Sequence, residues 1–206
     1  STVDRVTVHG FGKYGLLPSD STRDRDTHLQ CSGVKIFNTW SAIYLSANAE
    51  YLLFSDCEIR DCYWGFTVTA GNVLLTGCKV VDSTVALYIF KNGNANNSHG
   101  NATGCQFNHC VYPIWCEEVD YGFNFSGCQI FEGTVLLDRC KGVNLCHGTL
   151  DPNAILMRGG QRNYIRGNYL PGDYLTTVTH NYQSVTDDTI LVDNYYKNGT
   201  FNGTTS

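Results

Sequence analysis

Glu117 and Asp138 are the two residues of this chain whose type and spacing best suit acid–base chemistry. They take equivalent positions in neighbouring copies of an internal repeat, where the side chain should point to solvent. If the copies pair as parallel strands ~4.8 Å apart, the carboxyl groups can approach the about 5–5.5 Å spacing of a retaining glycosidase, or open to the wider inverting spacing. Two carboxylates that close tend to share one proton, so one serves as acid and the other as base. The spacing therefore predicts a catalytic pair.

A solvent-exposed charge ladder is the alternative interpretation of the same column. Arg158 follows Asp138 one repeat later, and opposite charges on adjacent strands are mildly stabilising without any catalytic role. Glu118 and Asp120 add negative charge just beyond the strand. In the catalytic interpretation, Arg158 instead contacts the substrate beside the carboxylates.

A second outward column, two residues earlier in each repeat, is largely aromatic. It reads Tyr44, Thr67, Tyr88, Trp115, Leu136 and Leu156. Exposed rings in a row can stack on sugar rings or pack against another subunit, and they can also merely cover their neighbours. The first use makes Tyr44, Tyr88 and Trp115 candidate sugar-binding residues, with Trp115 next to the carboxylate pair.

These side chains must be positioned by a repeat of 20 to 27 residues. The segments YLLFSDCEIRDCYWGFTV, from Tyr51, and NVLLTGCKVVDSTVALYI, from Asn72, can be laid over each other. Each copy has a small or polar marker residue followed by two alternations of apolar residues. The markers are Gly10, Gly33, Asp56, Gly77, Gly104, Gly127, His147, Gly167 and Asn194. Most of these residue types tolerate positive φ, which a sharp recurring bend requires.

Strands that recur at such a step, with alternate residues turned inward, pair in parallel with the next copy. Connections between parallel strands are nearly always right-handed. The sequence therefore predicts an all-β protein, a right-handed parallel β-helix that forms a solenoid of about eight or nine coils.

The repeat also predicts how the chain is organised. Lys13 and Lys197 replace an inward apolar residue at the two ends, as terminal capping coils should show. We expect one domain over residues 1–206, with regular coils at about 29–178 and irregular end coils and loops at 1–28 and 179–206. Residues 13–28 should form a polar loop, and 92–100 an insertion. Because no initiator Met or signal peptide is present, we expect a fragment of a longer chain.

Composition excludes several classes of protein. The net charge of −5 argues against nucleic acid as a partner, because phosphate binding needs clustered Lys and Arg. Because the sequence contains no run of 18 apolar residues, we expect no membrane span. Neither a nucleophile elbow nor a phosphate-binding loop is present, and we expect no cofactor.

Ten cysteines could form disulfides, but their spacing favours free thiols. Cys57, Cys78, Cys105 and Cys128 share one inward repeat position. Parallel neighbours lie ~4.8 Å apart, whereas a disulfide needs Cβ atoms about 3.8 Å apart. A metal site is the alternative, and its ligands would be His109, Cys105, Cys110 and Cys116. The predicted positions of these four do not converge, so we expect no metal.

The repeated motifs FSDCEI, LTGCKV, ATGCQF and FSGCQI resemble the pectate-lyase-like β-helices, and most of all the tailspike and tail-fibre proteins of bacteriophages. The resemblance covers the architecture of residues 29–170. It implies a homotrimer that is assembled in the bacterial cytoplasm, is carried on the virion, and binds bacterial surface polysaccharide. Many such proteins cleave the polysaccharide with paired carboxylates, which implies a possible glycoside hydrolase here.

Three hypotheses on function follow. The first is a phage receptor-binding domain that binds glycan and hydrolyses it at Glu117 and Asp138. The second is a structural β-helix shaft without catalysis, whose aromatic column is buried between subunits. The third is a secreted bacterial polysaccharide hydrolase or lyase.

Overall fold

A computed structural model describes residues 2–10, 12–17, 28–45, 50–69, 71–91, 99–171, 178–180, 190–196 and 199–204. The first nine strands are β1 (Thr2–Asp4), β2 (Thr7–His9), β3 (Tyr14–Leu16), β4 (Leu29–Ser32), β5 (Lys35–Phe37), β6 (Ser41–Leu45), β7 (Leu52–Ser55), β8 (Glu58–Arg60) and β9 (Trp64–Val68). The next nine are β10 (Asn72–Thr76), β11 (Lys79–Val81), β12 (Val85–Phe90), β13 (His99–Thr103), β14 (Gln106–Asn108), β15 (Tyr112–Glu117), β16 (Phe123–Ser126), β17 (Gln129–Phe131) and β18 (Thr134–Lys141). The last are β19 (Val143–Cys146), β20 (Thr149–Asp151), β21 (Ala154–Gln161), β22 (Tyr164–Arg166), β23 (Tyr169–Leu170), β24 (Val178–His180), β25 (Ile190–Tyr196) and β26 (Gly199–Thr204).

The strands form three parallel sheets, which we call walls A, B and C. Wall A contains β1, β4, β7, β10, β13, β16, β19, β22 and β25. Wall B contains β2, β5, β8, β11, β14, β17, β20 and β23, and wall C contains β3, β6, β9, β12, β15, β18, β21 and β24. Each turn of the chain passes through the three walls in that order, and each strand pairs with its equivalent in the next turn. The predicted parallel β-solenoid is confirmed.

The register between turns is the one that the sequence repeat predicts. Phe54 pairs with Leu75 in wall A, and Ile59 pairs with Val80 in wall B. All four side chains are buried, because one wall contributes alternate residues to a common interior. Phe54 also meets Phe66 of wall C edge to face, with ring centroids 5.5 Å apart.

Six turns, from β4 to β21, are complete around an apolar interior. The first turn, β1–β3, only packs three half-buried side chains against that interior. The last turn is incomplete in the described residues, since 172–177 lie outside them. The prediction of eight or nine coils was therefore wrong for the regular part. It counted bend markers, and a marker is present at the ends even where inward side chains no longer close a core.

The bend between walls A and B requires positive φ, as predicted. Its residues are Gly33, Asp56, Gly77, Gly104, Gly127, His147 and Gly167, with φ between 52° and 63°. Two predicted markers were wrong. Gly10 follows a strand of wall B, so it does not lie at the bend between walls A and B. In the first turn this bend is at Arg5, with φ of 48°. Asn194 aligns with Asn168, one residue beyond the marker.

A second bend, between walls B and C, also uses positive φ and was not predicted. Its residues are Asn38, Asp61, Asp82, His109 and Glu132. Four of them are Asn, Asp or His, which adopt positive φ more readily than most residues, so their types carried a signal that one marker per repeat did not use. Except for the half-buried Asn38, these side chains are exposed, and they form a mainly acidic column along one edge of the solenoid.

A ladder of side chains runs inside the A–B bend, where the residue after each bend residue turns inward. Its cysteines are Cys57, Cys78, Cys105 and Cys128. All ten cysteines of the chain are free, and nine are buried, which confirms the predicted free thiols. Beyond Gly148 the ladder continues with buried Asn168 and Asn194. The Asn168 amide nitrogen donates to Leu145 O at 2.8 Å and to Asn194 Oδ1 at 3.0 Å. Side chains thus satisfy backbone carbonyls that a bend leaves without strand partners.

The two ends differ from the regular turns. Part of the polar loop predicted at 13–28 is β3, which pairs with β6 and begins wall C. β26 pairs antiparallel with β25, so the parallel stacking stops there. The insertion predicted at 92–100 falls on residues 92–98, which lie outside the described residues, and on the start of β13. No helix in the described part of the chain is long and apolar enough to span a membrane.

Candidate functional site: the outer face of wall C

The predicted outward column lies on the outer face of wall C. In successive strands Tyr44 pairs with Thr67, Thr67 with Tyr88, and Tyr88 with Trp115. The column continues to Leu136 and Leu156. Its members point away from the core, because the residues on either side of each are buried. Thr67 and Leu136 are nevertheless covered by neighbouring side chains, so the column is not exposed along its whole length as predicted. The candidate sugar-binding residues Tyr44, Tyr88 and Trp115 therefore share one face.

Other rings enlarge this column into an aromatic surface that the sequence did not reveal. Trp64 lies 5.0 Å from Tyr88 and 6.1 Å from Trp115, measured between ring centroids. Phe90 stacks on Tyr88 at 4.6 Å, and Tyr112 contacts Trp115 at 5.3 Å. Rings that support one another in this way are held in fixed orientations.

Trp40 and Tyr63 form the exposed rim of the aromatic surface. Their ring centroids are 4.3 Å apart and the rings are nearly parallel, with an interplanar angle of 2°. Trp40 is 54% exposed and Tyr63 is 41% exposed. Tyr63 also contacts Trp64 edge to face, so the rim is continuous with the rest of the surface. Exposed rings that adjoin a larger apolar surface, unlike single exposed rings, are typical of binding surfaces.

A groove of about 180 Å³ opens within the aromatic surface. Its lining is Tyr14, Trp40, Ser41, Tyr44, Trp64, Thr67, Tyr88 and Phe90. The groove exists because Thr67 is a small residue between two tyrosines of the column. None of the lining side chains is charged.

Glu117 and Asp138 are paired neighbours on β15 and β18, as the repeat predicted. The Tyr88 hydroxyl donates to Glu117 Oε2 at 2.8 Å. Arg139 Nη2 contacts Glu117 Oε1 at 3.3 Å and Asp138 Oδ2 at 3.4 Å, so one guanidinium bridges both carboxylates. Arg139 Nη1 also contacts Glu118 Oε1 at 3.0 Å. The carboxylate pair is therefore connected to the aromatic surface on one side and contacts a single guanidinium on the other, which offsets only part of its negative charge.

Arg139, which the sequence did not single out, is the cation that contacts this cluster, whereas the role of Arg158 in substrate binding stays a prediction. Arg158 pairs with Asp138 in the strand register and is exposed. Arg139 follows Asp138 within β18, at a residue with φ of 52° where the strand bends. That bend turns its side chain back toward Glu117. The two-residue alternation of a strand predicts no such direction, so the sequence did not indicate Arg139.

The negative charge expected beyond the strand is compensated by lysines. Lys91 Nζ donates to Asp120 Oδ2 at 2.7 Å, and Lys141 Nζ lies 3.6 Å from Asp120 Oδ1. The bond with Lys91 lowers the pKa of Asp120 and raises the pKa of Lys91. This edge is a network of ion pairs and not an unbalanced acidic patch.

The phenols of the site are held in their neutral form. Burial, followed by the hydrogen bond to Glu117, raises the pKa of Tyr88. Burial also raises the pKa of Tyr44. Both hydroxyls therefore remain hydrogen-bond donors throughout the physiological pH range.

The alternative metal site does not assemble. Cys105, Cys110 and Cys116 are buried, whereas His109 is exposed and its Nδ1 lies 3.1 Å from Glu132 Oε2. No three His, Cys, Asp or Glu side chains in the described ranges are grouped so that they could hold a metal ion.

The chain matches no protein-family model, no curated protein and no solved structure. What the molecule does must therefore follow from the chemistry of its own surface, and wall C combines the most features that a ligand could use.

Proposed function

We propose that wall C binds a carbohydrate chain, and that the protein is the receptor-binding β-helix domain of a bacteriophage tailspike or tail fibre. The ligand would be a polysaccharide of the bacterial surface. The observation that carries the proposal is the aromatic surface around the half-buried Trp64 and Tyr88, whose rings contact each other and whose rim is exposed.

Sugar rings suit this surface for a physical reason. A pyranose has apolar C–H faces and a polar edge, so it needs flat rings for stacking and nearby hydrogen-bonding groups. The rings of Trp40 and Tyr63 offer the flat contact. The cluster of Glu117, Asp138 and Arg139 offers charged acceptors and donors beside it.

The proposal also has a catalytic part, in which Glu117 and Asp138 hydrolyse the bound glycan. Adjacent strands bring the two carboxylates together, as a glycosidase pair requires. A general acid must carry a proton, whereas the contacts with Arg139 use charged carboxylates. The geometry therefore supports glycan binding more directly than cleavage, and cleavage requires substrate to displace Arg139 from one carboxylate.

The assembly is also a proposal. We expect a right-handed solenoid, because crossover connections in parallel sheets have that hand. We expect a homotrimer on the phage virion, assembled in bacterial cytoplasm. Free buried thiols support assembly in a reducing compartment.

The binding proposal is tested on an array of bacterial surface polysaccharides with the wild-type protein and the Trp40→Ala and Trp115→Ala variants. Tyr169→Ala is the matched control, since Tyr169 is exposed but lies on wall B. Capture of a polysaccharide that both tryptophan variants lose and the control retains supports the proposal. Absence of any captured polysaccharide overturns it.

Catalysis is tested separately with Glu117→Gln and Asp138→Asn on whichever polysaccharide is captured. If the pair is catalytic, both variants bind the polysaccharide but release no new reducing ends. Cleavage at the parental rate by both variants would show that the assignment of the pair is wrong. If the wild-type protein binds the polysaccharide without cleaving it, the catalytic part of the proposal is wrong and the protein is a binding domain only.

A structural shaft is the second candidate, and the exposure of the same rings favours it. An apolar patch of this kind also suits contact between subunits. In that case the aromatic surface would be buried in the native oligomer and inaccessible to glycan.

A further inference from the structure

Two buried hydroxyls on wall C lack hydrogen-bond partners. Ser41 is 2% exposed and Thr67 is 4% exposed. Neither Ser41 Oγ nor Thr67 Oγ1 has a partner among the described residues. A buried hydroxyl without a partner costs free energy, so native proteins rarely keep one without a reason.

The other buried hydroxyls of the described residues have partners. Thr39 Oγ1 lies 3.3 Å from Cys62 Sγ, and two more hydroxyls donate to the backbone. Thr69 Oγ1 donates to Leu45 O at 3.0 Å, and Ser83 Oγ donates to Val81 O at 3.2 Å. Thr67 lies on β9, directly before the end of that strand and two residues from Thr69, yet it forms no such bond. The difference is that Ser41 and Thr67 both line the aromatic groove, where their oxygens are covered by neighbouring side chains in the free protein.

The shape and charge of the groove limit what can occupy it. About 180 Å³ is less than the roughly 300–1,000 Å³ of drug-sized sites, so one ring-sized unit fits. The lining has no charged side chain. The nearest charges are engaged at its ends, with Lys13 Nζ 5.2 Å from the Tyr14 ring centroid and Glu117 bonded to Tyr88.

We propose that this groove is a subsite for one uncharged sugar residue of the glycan. The apolar face of the sugar stacks on the rings of Trp64 and Tyr88. A small movement of the lining side chains on binding uncovers Ser41 Oγ and Thr67 Oγ1, which then bond to the hydroxyl or acetamido groups of the sugar. A charged sugar would lose hydration there without gaining an opposite charge, and the site would reject it. This inference rests on the proposed function, of which it specifies one contact.

Thr67→Val is the variant that separates ligand recognition from folding. It keeps the shape of the side chain and removes a hydroxyl that is unpartnered in the free protein, so it should not lower the melting temperature. It should weaken binding about 5–10-fold, the cost of one hydrogen bond in a ligand site. Ser41→Ala should behave in the same way. Thr69→Val is the matched control, and it should lower the melting temperature without changing affinity.

The probes are the methyl glycosides of glucose, galactose, mannose and N-acetylglucosamine, with glucuronate and glucosamine as charged counterparts. Binding is followed by intrinsic fluorescence, since Trp40 and Trp64 line the groove. We expect at least one uncharged probe to bind, both charged probes to bind more weakly, and Thr67→Val and Ser41→Ala to lose affinity.

Three outcomes overturn the subsite. Wild-type affinity in both hydroxyl variants, together with lost binding in Trp40→Ala, would remove the subsite and leave glycan binding by wall C intact. Preference for glucuronate or glucosamine would contradict an uncharged occupant. Failure of every probe would overturn the subsite. The proposed function would fall with it only if the polysaccharide array is also empty.

Discussion

The Tyr88 hydroxyl donates a 2.8 Å hydrogen bond to the Glu117 carboxylate of the next turn. This bond connects the two groups of residues that define wall C, since Tyr88 belongs to the aromatic surface and Glu117 to the carboxylate cluster. A ligand that stacks on one group is thereby placed beside the other.

Tyr88→Phe should reduce stability in a pH-dependent manner. The change removes the bond to Glu117 and keeps the stacked ring, so at neutral pH we expect a loss of about 1 kcal/mol. The pKa of Tyr88 is raised in the folded protein. The bond's contribution is therefore complete below about pH 10, the usual phenol value, and it is lost as the pH rises further.

Urea denaturation of both proteins at pH 8 and pH 11 measures this effect. The difference in free energy of unfolding between wild type and Tyr88→Phe should become smaller at the higher pH, because the other tyrosines and the thiols titrate alike in both proteins. A difference that stays constant or grows with pH would show that the bond contributes nothing.

Arg139→Gln should change the sign of the salt dependence of stability. The guanidinium contacts three carboxylates, and exposed pairs of this kind contribute at most about 1 kcal/mol. Salt screens attraction in the wild type, but in the variant it screens repulsion among the carboxylates left behind. Added salt should therefore lower the stability of the wild type and raise that of the variant.

Arg5→Gln is the control for this experiment. Arg5 also has positive φ and an ion pair, with Asp4, but it belongs to no larger cluster in the described residues. It should show almost no salt-dependent change. An equal response of the two variants would mean that Arg139 does not hold the carboxylates together.

The cysteine thiols of the native protein should react very little with thiol reagents. Only Cys146 among the ten cysteines is partly exposed. Burial raises the pKa of Cys31 and of Cys110 to about 11, and that of Cys140 to about 12, so few thiolates form at pH 8. We expect at most one thiol to react in the folded state and ten in denaturant. Cys146→Ser should abolish the native reaction, and several fast-reacting thiols would contradict the buried ladder.

Two glycines should respond to alanine for different reasons. Gly104 has φ of 60° and open space where a methyl group would point, so Gly104→Ala costs about 1–2 kcal/mol of backbone energy. Gly65 lacks positive φ, but a Cβ there would collide with the Ala86 carbonyl oxygen and lie 2.9 Å from Val80 Cγ1. Gly65→Ala should also shift the fluorescence of neighbouring Trp64. Denaturation followed by fluorescence tests both, and an unchanged spectrum would show that the wall does not depend on Gly65.

The side-chain directions and pairing of residues inside strands could be predicted from the sequence, because the two-residue alternation of a strand fixes them. The pairing of Glu117 with Asp138 follows once the repeat is aligned, since a strand places equivalent residues side by side. The cysteine column follows in the same way. Each of these predictions needed only the period and the two-residue alternation.

Residues at bends could not be predicted in this way. Arg139 has positive φ at a bend within β18, and Trp40 lies just before β6. Their directions depend on the corner geometry, which has no sequence period. The coil count failed because it followed bend markers, whereas the first turn packs only three half-buried side chains against the core.

Hydroxyl-radical footprinting of the native particle, with and without the polysaccharide captured on the array, tests glycan binding by wall C most directly. We expect Trp40, Tyr63 and Trp64 to be oxidised in the free particle and protected when the polysaccharide is bound. Rings that are protected before any glycan is added would show that wall C is buried between subunits. Rings that stay equally reactive at saturation would show that the glycan binds elsewhere, and either result would contradict a glycan site on wall C.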